Sequence, residues 1–190
     1  NHFRPDYTCW HVVSYNNDGT VEKRQTFQGK NDDSSWARGQ AWAVYGYTAC
    51  YRETKDTTFL NFAVKVADMI MARVKTDDAI PYWDYDAPVT NETPRDASAA
   101  SVTASALIEL STMVPDGKKY LDYAEKILKS LSSDAYLAKT GENQGFILMH
   151  STGSLPNGSE IDTPLNYADY YYLEALKRFM DLEGISYNSL

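Results

Sequence analysis

The chain has 190 residues, 43% of them hydrophobic, enough for one sizeable core and no more than one domain. Its 26 acidic residues outnumber 18 basic ones, and the resulting net charge of −8 would repel a phosphate backbone, with no Lys/Arg-rich run to offset it. Nucleic acid is thus disfavoured as a partner. So is a membrane, because no apolar run approaches the roughly 18 residues of a span.

Three histidines, His2, His11 and His150, form neither an H-E-x-x-H pair nor a Cys/His cluster, so no metal and no cofactor is expected. Cys9 and Cys50 lie far apart and read as buried free thiols, with a disulfide left open. The opening Asn1-His2-Phe3-Arg4-Pro5 lacks Met and shows no signal peptide, and it reads as the interior of something longer. Compartment stays open.

In chain order, Asn16-Asn17-Asp18-Gly19 marks a turn between Val12-Val13 and Thr20-Val21, which predicts a short hairpin or extended excursion. Asp32-Asp33-Ser34-Ser35 supplies N-cap residues for a first helix from Trp36 to about Arg52. That helix is apolar or aromatic nearly all round, so it reads as interior. Phe59, Phe62, Ala63, Val66, Ile70 and Val74 then recur at helical spacing opposite Asn61, Lys65, Asp68 and Lys75, the pattern of an amphipathic outer helix.

A proline-rich loop ends at Asp96, which can cap a third helix from Ala97 to about Met113. Its alanines permit close packing and give a second interior helix. Tyr120, Ala124, Ile127, Leu128 and Leu131 mark another outer helix after the Asp116-Gly117 turn. A glycine-rich loop follows, and a last helix starts near Pro164 and holds Tyr167, Tyr170, Tyr171, Leu173, Leu176 and Phe179, with the Tyr170-Tyr171-Tyr172 run read as core packing. The order inner, outer, inner, outer, inner predicts an all-α architecture of stacked helical hairpins, a solenoid or a closed α/α toroid. Long loops after each outer helix favour a toroid with a functional mouth. The expected layout is one domain over 1–190, with an extended excursion over 1–31 and the helices over 32–182.

Three segments carry a resemblance. They are Ser35-Trp36-Ala37-Arg38-Gly39-Gln40-Ala41-Trp42; Pro81-Tyr82-Trp83-Asp84 with Arg95-Asp96-Ala97-Ser98-Ala99-Ala100; and Pro164-Leu165 with Tyr167-Ala168-Asp169-Tyr170-Tyr171. Together they resemble glycoside hydrolase family 88, the unsaturated glucuronyl hydrolases, along essentially the whole chain. The resemblance implies about half of a six-hairpin (α/α)6 barrel from a bacterial enzyme. Such enzymes remove a Δ4,5-unsaturated uronic acid from oligosaccharides made by polysaccharide lyases. An aspartic acid protonates the C4=C5 vinyl ether, water adds, and the hemiketal opens and releases the aglycone.

The family's two catalytic aspartates precede its W-A-R-G-Q-A-W helix. By resemblance they are expected N-terminal to Asn1, which leaves no catalytic residue in this chain and predicts that it is inactive alone. Substrate contacts do carry over. Arg38 and Trp42, four residues apart, share a helix face, where a guanidinium can grip a uronate carboxylate and an indole can face a sugar ring. Gln28 and His11 match the family's hydroxyl-binding glutamine and active-site histidine.

His150, in the glycine-rich loop, is a candidate for the outer subsite. Asp84 and Asp96 could form a general acid/base pair, but they read more simply as a loop hydrogen-bonder and a helix cap. The expected partners are an acidic oligosaccharide and either the missing N-terminal half of the barrel or a second copy, docked on an exposed apolar edge. Two other readings stay open. An unsaturated rhamnogalacturonyl hydrolase would carry R-G-N-G-W where Gln40-Ala41 stand, and a non-catalytic helical module would bind carbohydrate or protein.

Overall fold

A computed structural model of the chain describes residues 1–186. Strands β1 (Val12–Tyr15) and β2 (Val21–Gln25) form the expected hairpin, antiparallel with Val12 opposite Gln25 and an irregularity at Ser14/Tyr15. Gly19 closes its turn at φ +83°, a left-handed conformation that costs glycine least. Among the described residues five α-helices follow: α1 (Ala37–Thr54), α2 (Thr57–Arg73), α3 (Ala97–Ser111), α4 (Lys118–Leu131) and α5 (Asn166–Glu183). None of the described helices is long and apolar enough to cross a membrane.

Helix α3 is the hub, packing against α1, α4 and α5, while α2 covers α1. All of α3 except Glu109 and Ser111 is buried. Its alanines let neighbours approach closely, and two of its buried hydroxyls are satisfied within the helix, Ser101 donating to the Ser98 carbonyl and Thr103 to that of Ala99. On outer helix α4 the buried residues are Tyr120, Ala124, Ile127, Leu128 and Leu131, the predicted set. On α2 they are Ala63, Val66, Ala67, Met69 and Ile70, with Asp56 capping the helix by accepting from the Thr58 amide. Inner helices α1, α3 and α5 and outer helices α2 and α4 therefore alternate as the periodicity predicts.

Four expectations need correction. No side chain of Asp32–Ser35 caps α1; instead the Ala37 amide donates to the Trp83 carbonyl, as the 81–86 loop pairs with the helix start through Trp36 and Asp84. A tertiary partner has displaced the local cap. Second, α1 is not interior all round: Ala37, Ala41, Val44 and Thr48 are buried, but Trp42, Ala43, Tyr45 and Tyr47 are only partly covered.

Third, α5 buries Ala168, Tyr172 and Ala175, whereas Tyr170 and Leu173 are 60% and 51% exposed. Alanines at i and i+7 let α5 lie close to α3. Glu174 is also drawn toward the shared boundary of the inner helices, accepting from Tyr45 and Ser105. The aromatic pattern ran almost all round α5 and could not select this face. Finally, both cysteines are free, but only Cys9 is buried; Cys50 is exposed near the end of α1.

Candidate functional site

The starts of α1 and α3 lie side by side, and polar loops fold over both. Asp96 caps α3 by accepting from the Ser98 amide at 3.1 Å, and the Ala97 amide donates to the His150 carbonyl. Arg38, in the first turn of α1, reaches across to the same carboxylate, Nη1 lying 2.7 Å from Asp96 Oδ2. Nη1 also donates to Ser98 Oγ and the Thr152 carbonyl, and Nη2 donates to the Gly153 carbonyl at 2.7 Å. The guanidinium rests 4.6 Å from the Trp36 ring.

Arg38 is 2% exposed and Asp96 is fully buried. This corrects the expectation that Arg38 grips a uronate carboxylate. Its charge is spent on a core carboxylate and two loop carbonyls, because a guanidinium taken out of water must find acceptors inside the protein.

Gln28 arrives at the same point from the N-terminal excursion. Its Nε2 donates to the Gly153 carbonyl at 2.8 Å, so that oxygen takes two side-chain donors. The 150–163 loop is thereby tied to both α1 and the 26–29 turn, and Asn157 adds a bond to the Phe27 carbonyl. Gly153 allows the close approach: a β-carbon there would sit 2.1 Å from Glu160 Oε2 and 2.6 Å from Glu160 Cβ. Gln28 Oε1 has no partner among the described residues.

His11 also stacks on Trp36, its imidazole 4.4 Å from the indole and inclined by 30°. Its Nδ1 lies 3.2 Å from both the Phe27 and Gln28 amide nitrogens and 3.5 Å from Thr26 Oγ1. Burial, and then the nearby Arg38 charge, holds the His11 pKa below its ordinary value. Trp42 is partly exposed and packs edge-on against Tyr171 and Tyr45, with ring centroids 5.1 and 6.4 Å away. His11 and Trp42, with Trp10, Trp36 and Tyr47, line one hollow of about 630 Å³. This is room for a sugar unit, edged by aromatic faces and by an imidazole.

His150 lies elsewhere. Its ring is bonded to Asp162 through Nδ1 at 2.6 Å, its backbone is left-handed at φ +64°, and it lines a separate depression of about 350 Å³ with Arg95 and Ile161. Asp84 is fully buried and accepts from Ser34 Oγ at 2.7 Å and from the Lys30 and Asp86 amides at 2.9 Å each. It is a loop organiser, and Asp96 is a cap and counter-ion; neither joins the other as an acid/base pair. Among the described residues, no group of three or more His, Cys, Asp and Glu could hold a metal ion.

Sequence reasoning missed Trp10, Trp36 and Tyr47 as walls of the hollow, and missed the Arg38–Asp96 pair although it singled out both partners. The Thr152 and Gly153 carbonyls that complete the arginine's shell carry no sequence signal at all.

No family model matches the chain. An unsaturated glucuronyl hydrolase of Formosa agariphila is 48% identical over 182 residues, covering 95% of this chain and 45% of that protein. One from Bacillus sp. strain GL1 is 32% identical, covering 92% of this chain and 47% of the relative. A crystal structure of an unsaturated glucuronyl hydrolase specific for heparin superposes with TM-score 0.95 at 57% identity, over 97% of this chain and 50% of its own. That agreement makes the fold here about half of an (α/α)6 toroid. The chain is thus homologous to unsaturated glucuronyl hydrolases over 95% of its length, and it spans about half the length of the relatives it matches.

Proposed function

We propose that the chain forms the sugar-gripping half of an unsaturated uronyl hydrolase, an enzyme that removes Δ4,5-unsaturated uronic acid from lyase-made oligosaccharides by hydrating the vinyl ether. The observation that carries this reading is the placement of His11 and Trp42 on one aromatic hollow of about 630 Å³. An indole face suits the apolar side of a sugar ring, and an imidazole edge can bond a hydroxyl or carboxylate oxygen. Gln28 contributes through its free Oε1 at the margin. Arg38 acts at one remove, fixing Gly153 and the loop around it. The His150–Asp162 depression would serve a sugar beyond the first, as an outer subsite.

Proton transfer to the double bond is assigned to aspartates outside these 190 residues. Alone, the chain should bind an unsaturated disaccharide without consuming it. Titration with unsaturated heparin-derived disaccharide should quench tryptophan fluorescence, and Trp42→Ala should remove most of that response. The ultraviolet absorbance of the C4=C5 bond should stay constant. Steady loss of that absorbance with pure chain would place the catalytic acid inside it.

The half-toroid also suggests a docking edge. Trp42, Tyr45 and Tyr171 are only partly covered, and Tyr170 and Leu173 project from α5. We assign this edge to complementary helical hairpins and, where those are absent, to a second copy. Sedimentation should then show concentration-dependent association; a stable monomer with a cooperative melt argues against it.

A further inference from the structure

We infer that His11 is a fixed hydrogen-bond donor, held as the neutral tautomer with its proton on Nε2 and that N–H directed to the aromatic hollow. The proposal deepens the sugar-binding reading and rests on it only for the identity of the acceptor.

The geometry at Nδ1 decides the tautomer. The Phe27 and Gln28 backbone amides, each 3.2 Å away, are donors that cannot accept a hydrogen bond. Thr26 Oγ1, at 3.5 Å, already accepts from the Gly29 amide at 2.8 Å, so its own proton is free to point at the ring. A proton on Nδ1 would point at two amide hydrogens, with only the more distant Thr26 Oγ1 to receive it. Nδ1 must therefore offer its lone pair, and the one ring proton of neutral histidine falls on Nε2. Nε2 has no partner among the described residues, and the ring lines the hollow.

The surroundings keep the ring neutral. Arg38, itself paired with Asp96, is the charged side chain acting on it from α1, and Cys9 and His2 share its hollow. Trp36 covers one face and excludes water. Protonation would bring a second N–H against two amides and a second positive charge near Arg38.

The chemical consequence is selectivity. A histidine locked this way cannot act as a base toward the hollow, because its lone pair is occupied; it can only donate. It favours an acceptor oxygen, such as a carboxylate or ring hydroxyl oxygen, and disfavours an ammonium or amide N–H in the same place.

Long-range proton–nitrogen correlation spectra of the uniformly nitrogen-15-labelled 190-residue chain test this without any variant. The expected pattern for His11 is the Nε2–H tautomer from about pH 8 down past the ordinary histidine midpoint, with protonation delayed to lower pH. An Nδ1–H pattern, or a rise to the charged form at the midpoint shown by free histidine, overturns the proposal. Addition of unsaturated heparin-derived disaccharide should then shift the Nε2 and Trp42 indole signals together. An Nε2–H pattern that the sugar leaves unmoved keeps the donor assignment and rejects the saccharide reading. Movement of Trp42 alone keeps the sugar but overturns His11 as its donor.

Discussion

Arg38 and Trp42 stand one turn apart on the same helix, yet one ends in the core and the other on an open hollow. The first finds Asp96, Ser98, Thr152 and Gly153 within bonding distance and is 2% exposed. The second packs on Tyr171, Tyr45 and small apolar residues of α1 and α3, and part of its surface stays open. Helical spacing puts two side chains on a common stripe. It does not say which of them a distant loop will cover. Here the 150–163 loop closes over the first turn of α1 and stops short of the second.

That contrast gives a graded series of tests. The largest effect is expected from Arg38→Ala, which strands the Asp96 carboxylate in the core and should cost about 3–5 kcal/mol. Urea denaturation should also show that Arg38→Lys fails to rescue, because an ammonium cannot reach the carboxylate and both loop carbonyls in one plane. If Arg38→Ala leaves stability intact while weakening sugar binding, the core assignment is wrong. Next, Asp84→Ala leaves the Lys30 and Asp86 amides without their acceptor and should cost about 2 kcal/mol, the usual penalty of a stranded buried donor.

Trp42→Ala reverses the pattern. Its stability loss should be only about 1 kcal/mol, the scale of an aromatic pair, whereas disaccharide binding should fall at least tenfold, about 1.4 kcal/mol. Equal losses in both would make Trp42 a core residue. Gln28→Ala removes one of two donors to Gly153 and should cost about 1 kcal/mol while leaving the fold intact.

The smallest and most specific effect concerns pH. Because the folded chain holds His11 below its unfolded value of 6.5, the neutral ring stabilises the fold fully above that pH. This contribution is lost as pH falls below about 6.5, through the window down to the depressed folded value, where only the unfolded state has taken the proton. The chain should lose stability across that window more steeply than His11→Gln does. Parallel curves for the two would remove His11 from the acid response.

Much of this was legible in the sequence. Residues with a clear polar face, such as Lys65 and Asp68 on α2 or Lys126 and Lys129 on α4, reported their helix's orientation because water fixes which side faces out. The cap at Asp96 was legible because its acceptor is local, two residues from the amide it serves. The Asn16–Gly19 turn was legible for the same reason. By contrast, α5 is aromatic on nearly every side. Only Ala168 and Ala175, the small residues that let it approach α3, reveal the buried face, and small residues look neutral in a hydrophobic pattern. The start of α1 misled in another way: Asp32–Ser35 offered good caps, but the 81–86 loop supplied a backbone carbonyl first.

By itself, the sequence determined what depends on neighbours a turn or two away: helix positions, the inner–outer alternation, the hairpin turn, and the motifs that tie the chain to sugar hydrolases. Tertiary structure alone decided what depends on distant chain. The carbonyls of Thr152 and Gly153, more than a hundred residues from Arg38, made a candidate sugar ligand into a buried latch. The Phe27 and Gln28 amides fixed which nitrogen of His11 carries its proton. Backbone groups are identical in every residue, so their partners can be known only once the loops have folded into place.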